Sequence, residues 1–313
     1  MRRWLFPAAV LSLVSLVAVY TTEVSRPRPS VSGRVMEIPL WTGDAPGAVG
    51  DSTADRPTMT VTLPPHARPN GTFVVVLPGG GYREVATATE GARAVRWLDS
   101  LGIASAVVRY RVAPRYHYPQ IVQDAARAIR LVRAHAPEWG LDTARIGVLG
   151  FSAGGHLAAT LGTHFDSGDS RATDLVERRS SRPSFMLLVY PLITMDSATT
   201  HWRSRLALLG PHPAPALVYA LSEEKHVTAE TPPAFLVTTN DDTLVPSENA
   251  VAMYAALHRA GVPAGLHIYD THRGGRHGFA MATPDSSLST WPRMMELWMR
   301  RYQLLDDSTV PPR

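Results

Sequence analysis

Short apolar segments alternate with longer amphipathic segments along most of this chain. Between the short segments, apolar side chains recur three or four residues apart, which places them on one face of a helix. The short segments are rich in β-branched and aromatic residues, as is typical of buried strands, and they comprise residues 58–63, 72–77, 104–110, 145–150, 185–190, 234–239 and 265–270. This alternation predicts an α/β fold, with a mostly parallel central sheet and helices on both of its faces.

Two helical segments have the clearest apolar face. The first carries Val122, Ala125, Ile129, Val132 and Ala136, and the second carries Ala250, Met253, Tyr254 and Leu257. The connection 191–233 is longer than the others and rich in proline. We interpret this connection as a small cap over the carboxyl edge of the sheet, where ligands bind in open α/β folds.

Both ends of the chain depart from this pattern. Residues 1–22 place two arginines before an apolar run, which is typical of a signal sequence and also close to the length of a membrane span. We therefore expect export, to a secreted or periplasmic location, with an uncleaved membrane anchor as the alternative. Residues 23–33 have the composition of a linker, residues 34–305 form one α/β domain, and residues 306–313 form a polar tail.

Composition narrows the range of functions. The 313 residues are 45% apolar and 19% charged, enough to bury a large core. The net charge is +4, but the 30 arginines and the one lysine are scattered among acidic residues, so we expect no nucleic-acid partner. Without cysteine there is no disulfide, thiolate metal site or cysteine nucleophile. Neither histidine pairs at zinc-site spacing nor an acidic calcium loop occur, so we expect no metal and no cofactor.

A glycine-flanked serine stands between a predicted strand and a predicted helix. Residues 150–154 read Gly-Phe-Ser-Ala-Gly and fit the motif Gly-x-Ser-x-Gly, which requires this strand-to-helix context. A side chain in place of either glycine would collide with neighbouring backbone, and the tight turn lifts the hydroxyl of Ser152 above the sheet. The motif therefore predicts Ser152 as a nucleophile, whereas the alternative is a glycine-rich turn with an incidental serine.

A serine nucleophile needs a base and an acid that orients the base, and in this fold both follow it in the chain. Asp242 begins an Asp-x-x-Val-Pro run after the strand 234–239, and His277 lies in a glycine-rich loop after the strand 265–270. The predicted triad is Ser152, His277 and Asp242. Three other residues remain as rivals: Asp241 and Asp196 for the acid and His272 for the base. We expect His156, inside the helix after the serine, to be structural.

Three glycines follow the strand 72–77 and supply a candidate oxyanion hole. Their exposed amides lie where they can join the amide of Ala153. The spacing does not decide between Gly80 and Gly81 as the donor, and of the two we favour Gly80. A phosphate-binding loop is excluded because neither Gly-x-x-x-x-Gly-Lys nor Gly-x-Gly-x-x-Gly is present; Glu84 stands where the last glycine would fall.

Taken together, these motifs resemble the α/β-hydrolase-fold serine esterases of the acetylxylan-esterase-like group. The resemblance implies the same triad, hydrolysis of small ester groups such as acetyl groups on plant cell-wall sugars, and Tyr82 and Glu90 as substrate-binding residues near the pocket. One departure is Arg276, which interrupts the Gly-Gly-His-Gly that such proteins commonly carry. The similar segments are 78–82, 90–112, 118–159, 231–246 and 277–279.

The sequence thus predicts an exported serine carboxylesterase that acts on short acyl esters of a carbohydrate or a similar alcohol. Two alternatives remain open. One is a peptidase of the same fold, which the short chain disfavours because such enzymes often carry an extra gating domain. The other is a non-catalytic binding protein with a hydrolase-like fold, which the ordered triad residues disfavour. The sequence leaves the oligomeric state open.

Overall fold

The computed structural model describes residues 33–64, 71–271, 277–281, 285 and 287–305. The predicted signal or anchor segment, nearly all of the predicted linker and the polar tail lie outside this range, as do His272 and Arg276. Within the described residues, no helix combines the length and apolarity that a membrane crossing requires.

In the described part of the chain, eight strands form a single sheet. Their bounds are β1 Arg34–Pro39, β2 Thr58–Leu63, β3 Phe73–Leu77, β4 Ala104–Arg109, β5 Ile146–Phe151, β6 Met186–Val189, β7 Ala234–Thr239 and β8 Ala264–Tyr269. The spatial order is β1-β2-β4-β3-β5-β6-β7-β8. The strands from β4 to β8 pair in parallel, whereas β2 is antiparallel to both β1 and β4. The mostly parallel sheet predicted from the alternating pattern is confirmed.

Seven α-helices cover the sheet within the described residues. They are α1 Ala92–Ser100, α2 Gln120–Trp139, α3 Ala153–Thr163, α4 Trp202–Leu209, α5 Pro215–Ala220, α6 Glu248–Arg259 and α7 Trp291–Arg301. Apolar residues of α2, α3 and α6 share one core cluster, and those of α1 and α7 share a second. Alternate residues of β3 divide between the two clusters, Val75 in the first and Val74 and Val76 in the second. Helices therefore pack on both faces, and β3 is buried throughout.

The strand β1 is absent from the sequence-based prediction. It lies at the edge of the sheet, and its residues are exposed or half-buried, with Val35 among the exposed ones. Its strand conformation depends on antiparallel pairing with β2, from Arg34 opposite Leu63 to Pro39 opposite Thr58. A short edge strand of this kind carries little hydrophobic periodicity, so the pattern alone does not reveal it.

The connection between β6 and β7 contains α4 and α5 and is fastened to the rest of the domain by hydrogen bonds. The amide of Tyr118 donates to the carbonyl of Leu208 at 2.8 Å, and Nε2 of His156 lies 2.9 Å from the carbonyl of Leu221. The side chain of Asn249 accepts hydrogen bonds from the amides that follow β6. These contacts hold the segment beside the carboxyl end of β5, where the Gly-x-Ser-x-Gly turn lies.

Candidate active site

Ser152 occupies a strained turn between β5 and α3. Its backbone φ is 51°, a region that non-glycine residues rarely enter and that costs roughly 1–3 kcal/mol. Backbone hydrogen bonds stabilise Ser152 in this conformation. The amide of Ser152 donates to the carbonyl of Val189, and the carbonyl of Ser152 accepts from the amides of Gly155 and Leu192. The hydroxyl is thus presented above the carboxyl end of the strand, and the side chain retains 8% exposure.

The glycines of the motif are required by close packing. A Cβ on Gly150 would lie 2.2 Å from the carbonyl oxygen of Gly154, and a Cβ on Gly154 would lie 2.1 Å from the carbonyl oxygen of Leu77. Both distances are far below van der Waals contact, and the obstructing atoms are backbone that cannot rotate away. The collision expected from the sequence is therefore present at both glycines.

His277 lies against the hydroxyl of Ser152. Its Nε2 is 2.8 Å from Ser152 Oγ, and its Nδ1 is 2.6 Å from Oδ2 of Asp242. The other carboxylate oxygen of Asp242 accepts hydrogen bonds from the amides of Leu244 and Val245 at 2.9 Å, so the buried carboxylate is held in place from both sides. Three side chains from the ends of β5, β7 and the segment beyond β8 form one continuous hydrogen-bonded chain.

The rival acids are placed elsewhere. Asp241 accepts a hydrogen bond from the hydroxyl of Thr271, and its second carboxylate oxygen is buried without a partner among the described residues. Asp196 is exposed, and its carboxylate accepts the amide of Ala198 within its own turn. Neither carboxylate contacts His277. Among the residues that the structure describes, no group of three or more histidine, aspartate or glutamate side chains is arranged to hold a metal ion.

The glycine turn after β3 lies directly beside Ser152. Gly80 and Gly81 have φ values of 121° and 64°, and a Cβ on Gly80 would meet the carbonyl oxygen of Glu84 at 2.3 Å. The amide of Gly79 donates to Oε2 of Glu90 and is therefore occupied. The amides of Gly80, Gly81 and Ala153 donate no hydrogen bond to any residue within the described ranges. These three amides are the ones predicted to bind an oxyanion, and they remain free to do so.

Tyr82 and Glu90 support this turn from inside the protein. Tyr82 is fully buried, and its hydroxyl lies 2.7 Å from Nδ1 of His156. Tyr82 thus exposes no surface in this structure, and its substrate-binding role stays a prediction. Glu90 is 8% exposed, and its two carboxylate oxygens accept from Gly79 and Tyr190. Both carboxylate oxygens of Glu90 thus have partners within the protein, and its substrate-binding role stays a prediction.

Burial and neighbouring charge act on several ionisable groups here. Burial raises the pKa of Glu90, against the lowering effect of its two hydrogen bonds and of the His277 charge. Burial lowers the pKa of His156, which is fully enclosed and bonded at both ring nitrogens, as expected for a structural histidine. The pKa of His201 is lowered by burial and then by the charge of His277.

Two residues near the site escaped the sequence analysis. Tyr190 follows β6 with a φ of 37°, and its ring lies edge-on to the His277 imidazole at 4.8 Å. His201 precedes α4 and bonds through Nδ1 to Ser204, whose hydroxyl is 3.4 Å from where a Cβ on Gly81 would stand. Neither residue belongs to a motif; the position of Tyr190 at the carboxyl end of a predicted strand was the one available signal.

The chain is similar to several known proteins. The BD-FAE family matches residues 59–257. The chain is 36% identical over 219 residues to an acetylxylan esterase of Xylanibacter ruminicola, covering 69% of this chain and 42% of that protein. It is 32% identical over 221 residues to endo-1,4-beta-xylanase B of Butyrivibrio fibrisolvens, covering 70% of this chain and 34% of that protein. The chain thus spans less than half the length of these two relatives.

A solved structure extends the similarity to nearly the whole fold. The crystal structure of an acetyl ester-xyloside bifunctional hydrolase from Caldicellulosiruptor lactoaceticus superposes with a TM-score of 0.80 at 40% identity. The match covers 88% of this chain and 99% of that one. With the sheet order, the serine turn and the family match over more than half of its length, the chain belongs to the BD-FAE family and has the α/β-hydrolase fold.

Proposed function

We propose that this protein is a serine carboxylesterase that removes short acyl groups, acetyl above all, from a carbohydrate or a similar alcohol. The observation that carries the proposal is the hydrogen-bonded chain from Ser152 through His277 to Asp242, with distances of 2.8 and 2.6 Å. The acyl and sugar preference is supported by the names of the relatives, an acetylxylan esterase and an acetyl ester-xyloside hydrolase.

Acylation is the first half of the proposed reaction. Oγ of Ser152 attacks the ester carbonyl carbon while its proton passes to Nε2 of His277. The carboxylate of Asp242 accepts a hydrogen bond from Nδ1–H of His277, which holds the imidazole in the tautomer that leaves Nε2 free to act as a base. The negative oxygen that forms is bound by the amide of Ala153 and by an amide of the Gly80–Gly81 turn. Collapse of this intermediate breaks the ester bond, and the alcohol leaves with the proton from Nε2.

Deacylation repeats these steps with water. His277 takes a proton from a water molecule as the water oxygen attacks the acyl carbon bound to Ser152. The second tetrahedral intermediate uses the same amides and then releases the carboxylic acid, while the proton on Nε2 returns to Oγ of Ser152. The residues that hold these protons are side chains of this chain alone, so the proposed chemistry uses neither metal nor organic cofactor.

The nucleophile is tested with Ser152→Ala and 4-nitrophenyl acetate. We expect the variant to lose at least about 10³-fold in kcat, because the acyl-enzyme has no oxygen on which to form. Ser197→Ala, at an exposed serine of the same domain, is the matched control and should retain full activity. Mass spectrometry after treatment with a fluorophosphonate should place the adduct on Ser152. Wild-type protein that hydrolyses no short ester would favour the non-catalytic binding protein.

The substrate class requires a second comparison. We expect acetate release from acetylated xylan and faster cleavage of acetyl than of longer acyl esters of 4-nitrophenol. Cleavage of a peptide amide at a comparable rate would instead favour the peptidase. We also propose that residues 1–22 direct export, with an uncleaved anchor as the other outcome; N-terminal sequencing of the chain recovered from the cell envelope and from the medium decides between them.

A further inference from the structure

Glu90 and Tyr190 form a buried pair that the proposed reaction does not use. Oε1 of Glu90 accepts the hydroxyl of Tyr190 at 2.9 Å, although 100 residues separate the two in sequence. The tyrosine is completely buried, and the glutamate is nearly so. A carboxylate in such a position is stabilised only if its oxygens are hydrogen-bonded, so the pair requires a structural or functional reason.

The glutamate end of the pair holds the glycine turn. Oε2 of Glu90 accepts the amide of Gly79, the residue directly before the amides that are free to bind an oxyanion. A Cβ on Gly79 would lie 3.0 Å from Oε2 of Glu90 and 3.0 Å from Cβ of Ser152, so Gly79 is packed between them. The position of Glu90 therefore sets how far the turn stands from the serine.

The tyrosine end of the pair holds the loop that carries the base. The hydroxyl of Tyr190 accepts the amide of Ala280 at 3.2 Å, while its ring lies 4.8 Å from the imidazole of His277 and 4.5 Å from the ring of Phe279. The backbone of Tyr190 is itself fixed, because its amide donates to the carbonyl of Val237 at 2.7 Å. Tyr190 thus supports the loop from a rigid strand end.

We propose that Glu90 and Tyr190 act as one positioning unit that sets the glycine turn and the His277 loop at the correct separation around Ser152. The inference rests on the proposed esterase function and deepens it. Neither residue touches substrate. Their shared hydrogen bond joins the two halves of the site, the amides that bind the oxyanion and the imidazole that moves the proton, so a loss at either end displaces both halves.

The test measures kcat and KM of Tyr190→Phe, Glu90→Gln and the double variant on 4-nitrophenyl acetate. Rates are referred to the sites titrated with a fluorophosphonate and are measured well below the thermal unfolding midpoint of each variant, so misfolded molecules do not contribute. We expect each single variant to lose about tenfold or more in kcat with KM changed less than about twofold, since misplacement affects the transition state more than binding. The kcat of the double variant should be no lower than that of the less active single variant, because the two residues act together.

Tyr116→Phe is the matched control. Tyr116 is also buried, its hydroxyl also donates to a carboxylate, that of Asp55, and it also accepts a backbone amide, that of Val49 at 3.1 Å. Its removal should lower stability without lowering kcat, whereas a purely structural role for Tyr190 would give the same result for both variants.

Two results distinguish the failure of this inference from the failure of the proposed function. If wild type is inactive, or if Ser152→Ala retains activity, the esterase function itself is wrong. If wild type is active through Ser152 while the Tyr190 and Glu90 variants keep kcat within twofold, or lose activity multiplicatively in the double variant, the positioning unit is wrong and the esterase function stands.

Discussion

The imidazole of His277 and the hydroxyl of Ser152 are 125 residues apart in the chain and 2.8 Å apart in space. The parallel sheet explains this approach, because β5, β7 and β8 all end at the same edge and the turns that follow them meet there. The turn after β3 ends at this edge too.

Asp241 and Asp242 are adjacent in the chain, so the same substitution at each position tests which aspartate orients His277. Asp242→Asn replaces the acceptor of the His277 Nδ1 proton by an amide and favours the wrong tautomer, so we expect kcat to fall by about 10³-fold or more. Asp241→Asn, whose carboxylate bonds to Thr271 instead, should stay within about threefold of wild type. Steady-state kinetics on 4-nitrophenyl acetate make the comparison, and equal losses in the two variants would contradict the assignment.

Two glycine-to-alanine variants separate the effect of backbone strain from the effect of a position beside Ser152. Gly80→Ala would place a Cβ 2.3 Å from the carbonyl oxygen of Glu84 at a φ of 121°, and the turn must move to relieve the collision. We expect kcat to fall by about 10²-fold through loss of an oxyanion donor. Gly140→Ala, also at a positive φ but with open space around it, should cost about 1 kcal/mol in stability and leave kcat within twofold. A wild-type kcat for Gly80→Ala would exclude this turn from the site.

A buried ion pair joins the segment after β4 to α2. Nε of Arg111 is 2.8 Å from Oδ2 of Asp124, and both side chains are fully buried. Burial raises the pKa of Asp124, against the hydrogen bonds and charge of Arg111. Asp124→Asn leaves the arginine charge buried and uncompensated, so we expect the free energy of unfolding to fall by about 3 kcal/mol or more. The control is Arg293→Ala, which removes an exposed partner of Glu296 on α7 and should cost about 0.5 kcal/mol or less in urea unfolding.

The contact between His164 and Glu223 predicts a pH dependence of stability. Nδ1 of His164 is 3.1 Å from Oε2 of Glu223, and this hydrogen bond raises the pKa of His164 above its ordinary value of 6.5. A histidine whose pKa is raised by folding stabilises the protein fully below the unfolded pKa, and the contribution is lost as the pH rises through the folded pKa. Between pH 6 and pH 8, wild type should therefore lose more stability than His164→Gln.

The size of this difference should be about 1 kcal/mol, since the pair combines a charge-assisted hydrogen bond with partial exposure of the histidine. Urea unfolding of both proteins at the two pH values gives the measurement. Parallel stability profiles for the two proteins would show that folding does not raise the pKa of His164.

The spacing of apolar residues along the chain predicted much of the fold. The seven predicted strands are present with ends that shift by a residue, such as Phe73 in place of Thr72 and Phe151 in place of Gly150. The helices expected on the apolar faces at Val122 and Ala250 are α2 and α6. These elements were predictable because buried strands and amphipathic helices each require a characteristic spacing of apolar residues, and that spacing can be read from the sequence.

Residues outside such a spacing were not predictable. The edge strand β1 is held by pairing, and α4 and α5 lie in a proline-rich segment with little periodicity. The contacts of Tyr82 and Glu90 depend on where their side chains point. The hydroxyl of Tyr82 contacts His156 inside the protein, and the carboxylate of Glu90 accepts hydrogen bonds from Gly79 and Tyr190. Sequence places both residues near the turn but does not give the direction in which their side chains point.

The sequence by itself determined the strand-to-helix setting of Ser152, the candidates that follow it in chain order and the glycines around it, because short motifs are set by local backbone geometry. Only the tertiary structure decided that Asp242, rather than Asp241 or Asp196, faces His277, and that Tyr190 lies behind the imidazole. The physical reason is that a hydrogen bond depends on tenths of an ångström between segments far apart in the chain. Those separations are set by how the strands pair and the helices pack, not by the spacing of residues along the sequence.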